Sequence, residues 1–579
     1  MNEVSKADPS TKADPSASAD PSTKADPSAS ADSSVVADSS SAAEPNAGVE
    51  SSAAAALKAG SEQRRTFAII SHPDAGKTTL TEKLLLFGGA IREAGAVKGK
   101  KARRHATSDW MEIEKQRGIS VTSTVLQFSY KNRRINILDT PGHEDFSEDT
   151  YRTLTAADSA VMLIDAAKGV EPQTIKLFEV CAMRGIPIFT FINKLDREGK
   201  EPLALLEEIE EVLGIRSCPM NWPIGMGQQF LGIYNRSDKR FERFTGRGEA
   251  TTNISVDDIE SEELSGILGA DLHAQLQEEV MLLDIAGDPF DADLVQKGKL
   301  TPVFFGSAIA NFGVETFLNE FIDLAPAPGP RKTDGGLVEP SDEAFSGFVF
   351  KIQANMNPAH RDRIAFIRMC SGKFDRGMNV NHVRTGKKIN LAQPQQFFGQ
   401  GREIIDEAFP GDIIGIFDPG LFRIGDTLSE SGWFNFEPLP QFSPEHFARV
   451  NVKNTLKYKQ FHKGLEQLAE EGAIQVYRQV NRTEDMILGA VGRLQFEVFQ
   501  YRMNSEYGAE VELTNLPYSV ARWIETPNME TLNYDRYSNL IVKDLDDRFV
   551  MLFPNEFATH FVVDKNPDVK LHTTSYGMK

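Results

Sequence analysis

The sequence is poor in cysteine, in long apolar runs and in positive charge, and each shortage excludes a class of protein. Only three of the 579 residues are cysteine, and Cys181, Cys218 and Cys370 lie far apart. Without a closely spaced pair, neither a disulfide framework nor a zinc site is expected, which fits a reducing cytoplasm. No apolar run is long enough to span a membrane and no secretory signal precedes the chain, so we expect a cytoplasmic protein without a membrane partner.

Excess positive charge is missing, because the formal net charge is −20. This balance argues against a protein that coats nucleic acid, since phosphate binding needs clustered Lys and Arg. Residues 98–104 are an exception, with five basic residues in a run of seven. Two interpretations of this run stay open: a contact with RNA or with an acidic protein, or a solvated loop.

The N-terminal region has the composition of a linker. Residues 7–42 repeat a hexad that begins Ala-Asp-Pro-Ser or Ala-Asp-Ser-Ser. The repeat has no apolar face to bury, and proline breaks helices. We therefore predict a disordered low-complexity tail over residues 1–62, in which an alanine-rich stretch, residues 53–56, leads into the folded part.

The remaining sequence predicts a multidomain α/β protein. Apolar strand-like runs alternate with helical patterns, which predicts a parallel sheet with crossover helices over residues 63–335. Shorter segments with turn signals predict an antiparallel β-barrel over 342–435. Two helices flanked by strands predict a ferredoxin-like α/β domain over 436–579. The predicted strands of the first domain are 66–70, 135–138, 160–164, 186–192 and 303–305.

A phosphate-binding loop is predicted directly after the first strand. Residues 71–78 read SHPDAGKT, which is the phosphate-loop spacing with Ser71 at a position usually held by Gly. Backbone N–H groups of such a loop cradle an anion, together with the N-terminus of the following helix. Lys77 is expected to reach the β and γ phosphates, and the Thr78 hydroxyl to bind Mg²⁺.

A second group of residues follows the second predicted strand in the string LDTPGH. Asp139 sits where a carboxylate can hold Mg²⁺, usually through water, and Gly142 can present its N–H to the γ-phosphate. His143 then stands where a hydrolytic site needs a group that orients the attacking water. Upstream, Ser120 can complete the Mg²⁺ shell in the triphosphate state, although a plain loop-to-strand turn remains an alternative.

The base-binding residues follow the next two strands of the predicted sheet. The carboxylate of Asp196 can accept hydrogen bonds from N1–H and the 2-amino group of guanine, and adenine lacks both donors. Asn193 would tie this loop to the phosphate loop, and Lys194 would lie along the base. The residues predicted to bind nucleotide are Ser71, His72, Pro73, Asp74, Ala75, Gly76, Lys77, Thr78, Thr79, Asp139, Thr140, Pro141, Gly142, Asn193, Lys194, Asp196, Ser307 and Ala308.

The strings SHPDAGKTTL, RGISV, DTPGHEDF, NKLD and GSAI, in this order, resemble those of translational GTPases. The first string is more similar to class II peptide-chain release factors, of the bacterial release factor three type, than to elongation factors. The resemblance covers about residues 63–579. It implies a P-loop G domain, with an inserted segment at about 200–300, and then the barrel and the α/β domain.

The resemblance also implies roles for individual residues. His143 matches the catalytic histidine that the sarcin–ricin loop of the ribosome positions, and Ser120 stands where many relatives have Thr. Pro73 and Ile119 match the apolar pair that flanks the histidine. The residues that match the nucleotide and Mg²⁺ sites of the family are Lys77, Thr78, Asp139, Asn193 and Asp196.

By this resemblance, the function is that of a ribosome-stimulated GTPase that promotes dissociation of class I release factors from the 70S ribosome after peptide release. Its ligands would be GTP, GDP and Mg²⁺, and the protein would be monomeric. Two alternatives remain: another translational GTPase, such as a ribosome-protection or biogenesis factor, and a nucleotide-regulated binding module that does not hydrolyse GTP. Asp196 disfavours a third, an ATPase or kinase.

Overall fold

The computed structural model describes the chain from residue 52 to residue 574, with gaps. The hexad repeat, the basic run at 98–104 and the predicted contact residue Ile119 lie outside the described residues. Residues 50–579 belong to one compact unit. The described ranges are 52–91, 114, 120–244, 252–255, 259–354, 363–392, 394–398, 401–439, 441–480, 482–526 and 528–574.

The first described element is a helix, Ser52–Glu62, which lies inside the predicted disordered tail. The predicted boundary at residue 62 is therefore wrong. Alanine has the highest helix propensity, and the helix is fixed by burial of Leu57, which is 5% exposed. Gly60 lies against the Phe409 ring, where a Cβ would be 2.4 Å from a ring carbon. The alanine-rich stretch and Leu57 are both visible in the sequence, but their position directly after the repeat led to a prediction of disorder for them as well.

A seven-stranded sheet forms the centre of the first domain, and only its two edge strands at one side are antiparallel to each other. The predicted parallel sheet is confirmed. The prediction missed the two strands at the outer edges of the sheet, Thr124–Tyr130 and Arg216–Pro219. Side chains alternate between the two faces, so Phe67 and Ala68 enter different apolar cores. In order across the sheet, the strands are Thr124–Tyr130, Arg133–Asp139, Arg64–Ser71, Ser159–Asp165, Ile188–Asn193, Leu300–Phe305 and Arg216–Pro219.

Helices cover both faces of this sheet, as its buried apolar strands require. They are Lys77–Phe87, Ser147–Thr155, Pro172–Met183, Pro202–Leu213 and Val314–Leu324. Within the region predicted as an insertion, a separate antiparallel sheet contains Asn221–Ile224, Gly232–Asn235, Arg240–Arg243 and Thr252–Ser255. Three helices follow it: Glu262–Leu268, Ala270–Ala286 and Ala292–Gln296.

The second domain is an antiparallel sheet of eight strands that encloses its own apolar core. The predicted antiparallel barrel is confirmed. Its strands, in order across the sheet, are Lys387–Asn390, Asn379–His382, Thr427–Ser429, Ser346–Ala354, Arg363–Ser371, Ile413–Phe417, Gln395–Phe398 and Gly401–Ile404. Two short pairs accompany it, Arg331–Thr333 with Gly336–Val338 and Phe374–Asp375 with Glu407–Ala408.

The C-terminal domain has a second eight-stranded sheet, and half of it is ferredoxin-like. Its first four strands lie in the spatial order Val511–Leu516, His446–Val452, Arg482–Ala490 and Gln475–Gln479, with helices Tyr458–Glu470 and Arg493–Ser505 as connections. The sheet then continues through Leu540–Lys543, Phe549–Phe553, Val520–Glu525 and Lys570–His572, accompanied by helix Phe557–Lys565. This continuation was not predicted. Within the described ranges, none of the helices has the length and apolar character needed to cross a membrane.

The first helix gives a prediction about truncation. Deleting residues 1–51 should leave the free energy of unfolding unchanged, because the repeats have no apolar face. Deleting residues 1–62 should lower it by about 2–3 kcal/mol, since Leu57 loses its buried position. Urea unfolding of the two truncated proteins and the full chain measures both values. Equal stability of the two truncations would contradict a docked helix.

Candidate functional site

The candidate site lies at the carboxyl ends of adjacent parallel strands, where open α/β sheets bind ligands. The first strand leads into the loop 71–76, and Gly76 caps the N-terminus of helix Lys77–Phe87. Two residues of the loop have left-handed backbone, Asp74 with φ 68° and Gly76 with φ 103°. Left-handed residues in a tight loop of this kind are typical of backbone that cradles an anion.

Asn193 joins three loops of the site through its side-chain amide. Its Nδ2 donates to Ala75 O at 2.8 Å, and its Oδ1 accepts from Ala308 N at 2.8 Å. The approach is so close that a Cβ at Gly76 would lie 2.4 Å from Asn193 Nδ2. Both conformation and space therefore restrict residue 76 to glycine.

Lys77 and Asp139 form a buried ion pair between the phosphate loop and the end of the neighbouring strand. The Lys77 Nζ lies 2.5 Å from Asp139 Oδ1, and the two side chains are 7% and 2% exposed. The other oxygen, Asp139 Oδ2, is buried and has no hydrogen-bond partner among the described residues. A buried carboxylate oxygen without a partner is costly, and a hard cation such as Mg²⁺ would satisfy it. Thr78, the next predicted Mg²⁺ ligand, is half-buried beside Lys77.

Lys194 crosses the site in a left-handed conformation, with φ 74°. Its Nζ donates to Asp74 O at 2.6 Å and lies 2.6 Å from Asp165 Oδ2. Asp165 was not predicted as a site residue. Its position at the carboxyl end of strand Ser159–Asp165 was the signal that could have identified it.

Asp196 is held from the other side of the site by Ser307. The Ser307 hydroxyl donates to Asp196 Oδ1 at 2.6 Å. Ser307 is itself fixed by a pair of backbone hydrogen bonds with Phe312, at 2.9 and 3.0 Å. The carboxylate thus has a defined orientation, as recognition of a planar base requires.

His143 lies at the start of a short 3₁₀ helix, Glu144–Phe146. Its Nδ1 accepts from the backbone N–H of Asp145 at 3.3 Å, and Asp145 Oδ1 is also 3.3 Å from Nδ1. The ring is accessible, with 36% of the side chain exposed. Just upstream, the Thr140 hydroxyl donates to Ile69 O at 2.6 Å, which fixes the loop to the first strand.

The remaining predicted residues lie around this centre. Ser71 is buried, and within the part of the chain that the structure describes its hydroxyl has no hydrogen-bond partner. A Cβ at Gly142 would lie 3.6 Å from the Pro73 backbone. His72 Nε2 is 3.3 Å from Glu171 Oε1, a second residue that sequence reasoning missed. Ser120 is half-buried and precedes strand Thr124–Tyr130.

Comparison with known families identifies the class to which this fold and site belong. Residues 62–327 match the family model of the elongation factor Tu GTP binding domain, and residues 344–431 match that of elongation factor G domain 2. The protein is therefore a translational GTPase. Residues 436–563 match the C-terminal domain of class II release factor RF3.

Similarity to whole proteins defines the family more narrowly. The chain is 62% identical over 516 residues to peptide chain release factor 3 of Symbiobacterium thermophilum, covering 89% of this chain and 98% of that protein. It is 59% identical to the protein of that name from Macrococcus caseolyticus, covering 88% and 98%, and 58% identical to that from Listeria monocytogenes, covering 88% and 97%. The chain belongs to the peptide chain release factor 3 family and has a role in translation termination.

A solved structure from Thermus thermophilus shares the fold at lower identity. It superposes with a TM-score of 0.64 at 23% identity, covering 80% of this chain and 71% of that chain. This likeness supports the predicted succession of a G domain, a barrel and an α/β domain.

The contact between Gly76 and Asn193 gives a prediction about nucleotide binding. Gly76→Ala should weaken GTP binding about 10-fold or more, because a side chain at this φ is strained and its Cβ overlaps Asn193. Gly185→Ala is the matched control, since its φ is 64° and no atom lies within 4 Å of the added Cβ. Equilibrium titration with GTP measures both variants. Equal affinity of the Gly76 and Gly185 variants would disprove the importance of the close approach.

Proposed function

We propose that the loop 71–79 holds the phosphates of GTP or GDP. Its backbone N–H groups and the N-terminus of helix Lys77–Phe87 supply partial positive charge, and Lys77 Nζ supplies a full one. Thr140, Pro141 and Gly142 complete the phosphate side of the site. The left-handed residues of the loop and the Asn193 contacts support this assignment.

Mg²⁺ fits the same centre, held by the hydroxyls of Thr78 and Ser120 and by the carboxylate of Asp139. The unpartnered, buried Asp139 Oδ2 supports the assignment. When bound, the ion neutralises phosphate charge during hydrolysis. A hydroxyl ligand that leaves after hydrolysis makes an order–disorder switch, so Ser120 is the ligand proposed to bind in the triphosphate state only.

Guanine recognition is assigned to the loops after strands Ile188–Asn193 and Leu300–Phe305. Asp196 accepts from the two donors on the guanine edge, while Ser307 holds the carboxylate in place. Lys194 covers the base. The backbone N–H groups of Ser307 and Ala308 are the proposed donors to O6, which would share them with the acceptors they already have, Phe312 O and Asn193 Oδ1. The match of this domain to a GTP-binding family supports these roles.

His143 is assigned the catalytic role of orienting the attacking water. Phosphoryl transfer depends mainly on positioning and charge stabilisation, so a group that places the water has a large effect on rate. The accessible ring suits a site that an external partner completes, and we assign that partner as ribosomal RNA near the sarcin–ricin loop. Hydrolysis is thereby stimulated by the 70S ribosome.

The cellular role that follows is the recycling of class I release factors. GTP binding would favour a ribosome-bound conformation that displaces the class I factor after peptide release, and hydrolysis would free this protein. The observation that carries the proposal is 62% identity over 98% of a peptide chain release factor 3. The presence of the predicted phosphate, Mg²⁺ and base-binding residues in the sequence agrees with it. A monomer in the cytoplasm, with domains at 63–335, 342–435 and 436–579, fits this role.

Base recognition predicts a change of nucleotide in one variant. Asp196→Asn replaces an acceptor by a donor, so GTP affinity should fall roughly 30-fold or more and xanthosine triphosphate affinity should rise. Paired titrations with both nucleotides, on wild type and variant, measure the exchange. Ser307→Ala is the matched control, because it loosens the carboxylate without changing its chemistry and should weaken both nucleotides modestly. Unchanged GTP affinity in folded Asp196→Asn would refute the guanine assignment.

The assignment of His143 predicts a loss of rate without a loss of binding. His143→Ala should bind GTP as wild type does, while ribosome-stimulated hydrolysis falls about 100-fold or more. Multiple-turnover hydrolysis with and without 70S ribosomes provides the measurement.

In termination complexes with limiting class I factor, wild type should raise the number of peptides released per factor. Normal stimulated turnover by His143→Ala would remove its catalytic role, and absence of recycling by wild type would favour another translational GTPase.

A further inference from the structure

The C-terminal domain contacts the residue that adjoins the ring of His143. Asp145 Oδ2 accepts the backbone N–H of Leu494 at 2.6 Å, and Leu494 is the second residue of helix Arg493–Ser505. A carboxylate at a helix N-terminus is stabilised by the unpaired N–H groups and the helix dipole. The contact joins residues that are 349 positions apart in the chain.

The helix approaches Asp145 so closely because residue 492 has no side chain. A Cβ at Gly492 would lie 2.0 Å from Asp145 Cγ and within 2.4 Å of both carboxylate oxygens. The backbone of Gly492, with φ −135° and ψ 160°, is extended, so any residue could adopt it. Only the space occupied by Asp145 therefore restricts this position to glycine.

An apolar contact surrounds the polar one and fixes its place. Val121, Phe146 and Val498 are buried together, at 3%, 6% and 4% exposure, with Leu494 and Tyr501 packed against them. Val121 follows Ser120, and Phe146 follows Asp145. The Asp145 side chain is 14% exposed, so few positions remain open to its carboxylate.

On its other side, Asp145 holds the His143 ring by Nδ1. The backbone N–H donates when Nδ1 carries no proton, and the carboxylate Oδ1 can accept when Nδ1 carries one. Both contacts direct Nδ1 toward Asp145 and leave Nε2 for other partners. The hydrogen bond at one ring nitrogen determines the orientation and tautomer that the other presents.

We propose that Asp145 is a positioning residue for His143, and that the N-terminus of helix Arg493–Ser505 holds Asp145 in place. The C-terminal domain thus contributes to the hydrolytic site through one carboxylate. This inference rests on the proposed role of His143. The ring is oriented while the C-terminal domain is docked, and it loses that support when the helix moves away.

The first test separates positioning from binding. Asp145→Ala should lower kcat of ribosome-stimulated GTP hydrolysis about 10- to 100-fold, as loss of a group that orients a functional histidine does. GTP affinity and the ribosome concentration at half-maximal rate should stay within about 2-fold, because the phosphate loop and base site are untouched. Asp145→Asn keeps an acceptor oxygen and should recover part of the rate.

The second test disturbs the contact between the helix and Asp145 without substituting Asp145. Gly492→Ala should lower kcat similarly, since its Cβ displaces the carboxylate. In an Asp145→Ala background, Gly492→Ala should have little further effect, because the space is then open. The control Glu471→Gln weakens the 2.7 Å pair with Arg502 inside the C-terminal domain and the 3.1 Å hydrogen bond from Ala354 N of the barrel, both away from His143, and should lower kcat much less.

The outcomes distinguish this inference from the function on which it rests. If His143→Ala retains the stimulated rate, the catalytic role itself fails. If His143→Ala loses the rate while Asp145→Ala retains it, positioning by Asp145 alone is overturned. Equal losses in Glu471→Gln and Asp145→Ala, or additive losses in the Asp145 and Gly492 double variant, would also overturn it. In a His143→Ala background, Asp145→Ala should cause no further loss.

Discussion

The two hydrogen bonds of the Asn193 side chain are the constraint on which the nucleotide site depends. One amide links the loop after the first strand, the loop after Ile188–Asn193 and the loop after Leu300–Phe305. Each loop carries a different part of the proposed chemistry: phosphate, base edge and base oxygen. Because an amide has one donor and one acceptor side, it can satisfy both loops only in one orientation. The relative position of the phosphate and guanine contacts is thereby fixed before any ligand binds, which reduces the entropic cost of binding.

The sheet and much of the site could be predicted because their patterns are local. Strand Ser159–Asp165 is buried along its whole length, so its apolar run is continuous, and the loop that starts at Ser71 has a fixed spacing of residue types. Thr124–Tyr130 was missed because edge strands mix apolar and polar residues, as its partly exposed end illustrates. Asp165 was missed because it acts through Lys194: its place at the end of a strand marks it as a candidate, but the ion pair with Lys194 is visible only in the structure.

Contacts between domains were beyond prediction, since they join residues hundreds of positions apart. Arg152, on the helix after His143, donates to the carbonyl oxygens of Glu471 and Gly472 in the C-terminal domain. Burial would lower the pKa of Arg502, but its ion pairs with Glu471 and Glu506 raise it, so this guanidinium stays charged. These three side chains all belong to the C-terminal domain, and their mutual contacts must offset the desolvation that burial costs. The ion pair between Arg363 of the barrel and Glu470 of the C-terminal domain does join two domains, so it is satisfied only when those domains are docked together.

The unpredicted second half of the C-terminal sheet has a mechanical consequence. Strand Gln475–Gln479 pairs directly with Leu540–Lys543, so the ferredoxin-like half and its continuation share one hydrogen-bonded sheet. Because its eight strands are joined by continuous hydrogen bonds, we expect the sheet to move as one rigid body. The ferredoxin-like half contacts the G domain through Leu494. The helix Phe557–Lys565 packs on the strands of the continuation, at the other end of the sheet. Any rotation of this sheet about the contact at Leu494 would therefore carry the helix Phe557–Lys565 along with the ferredoxin-like half, and the displacement would grow with distance from that contact.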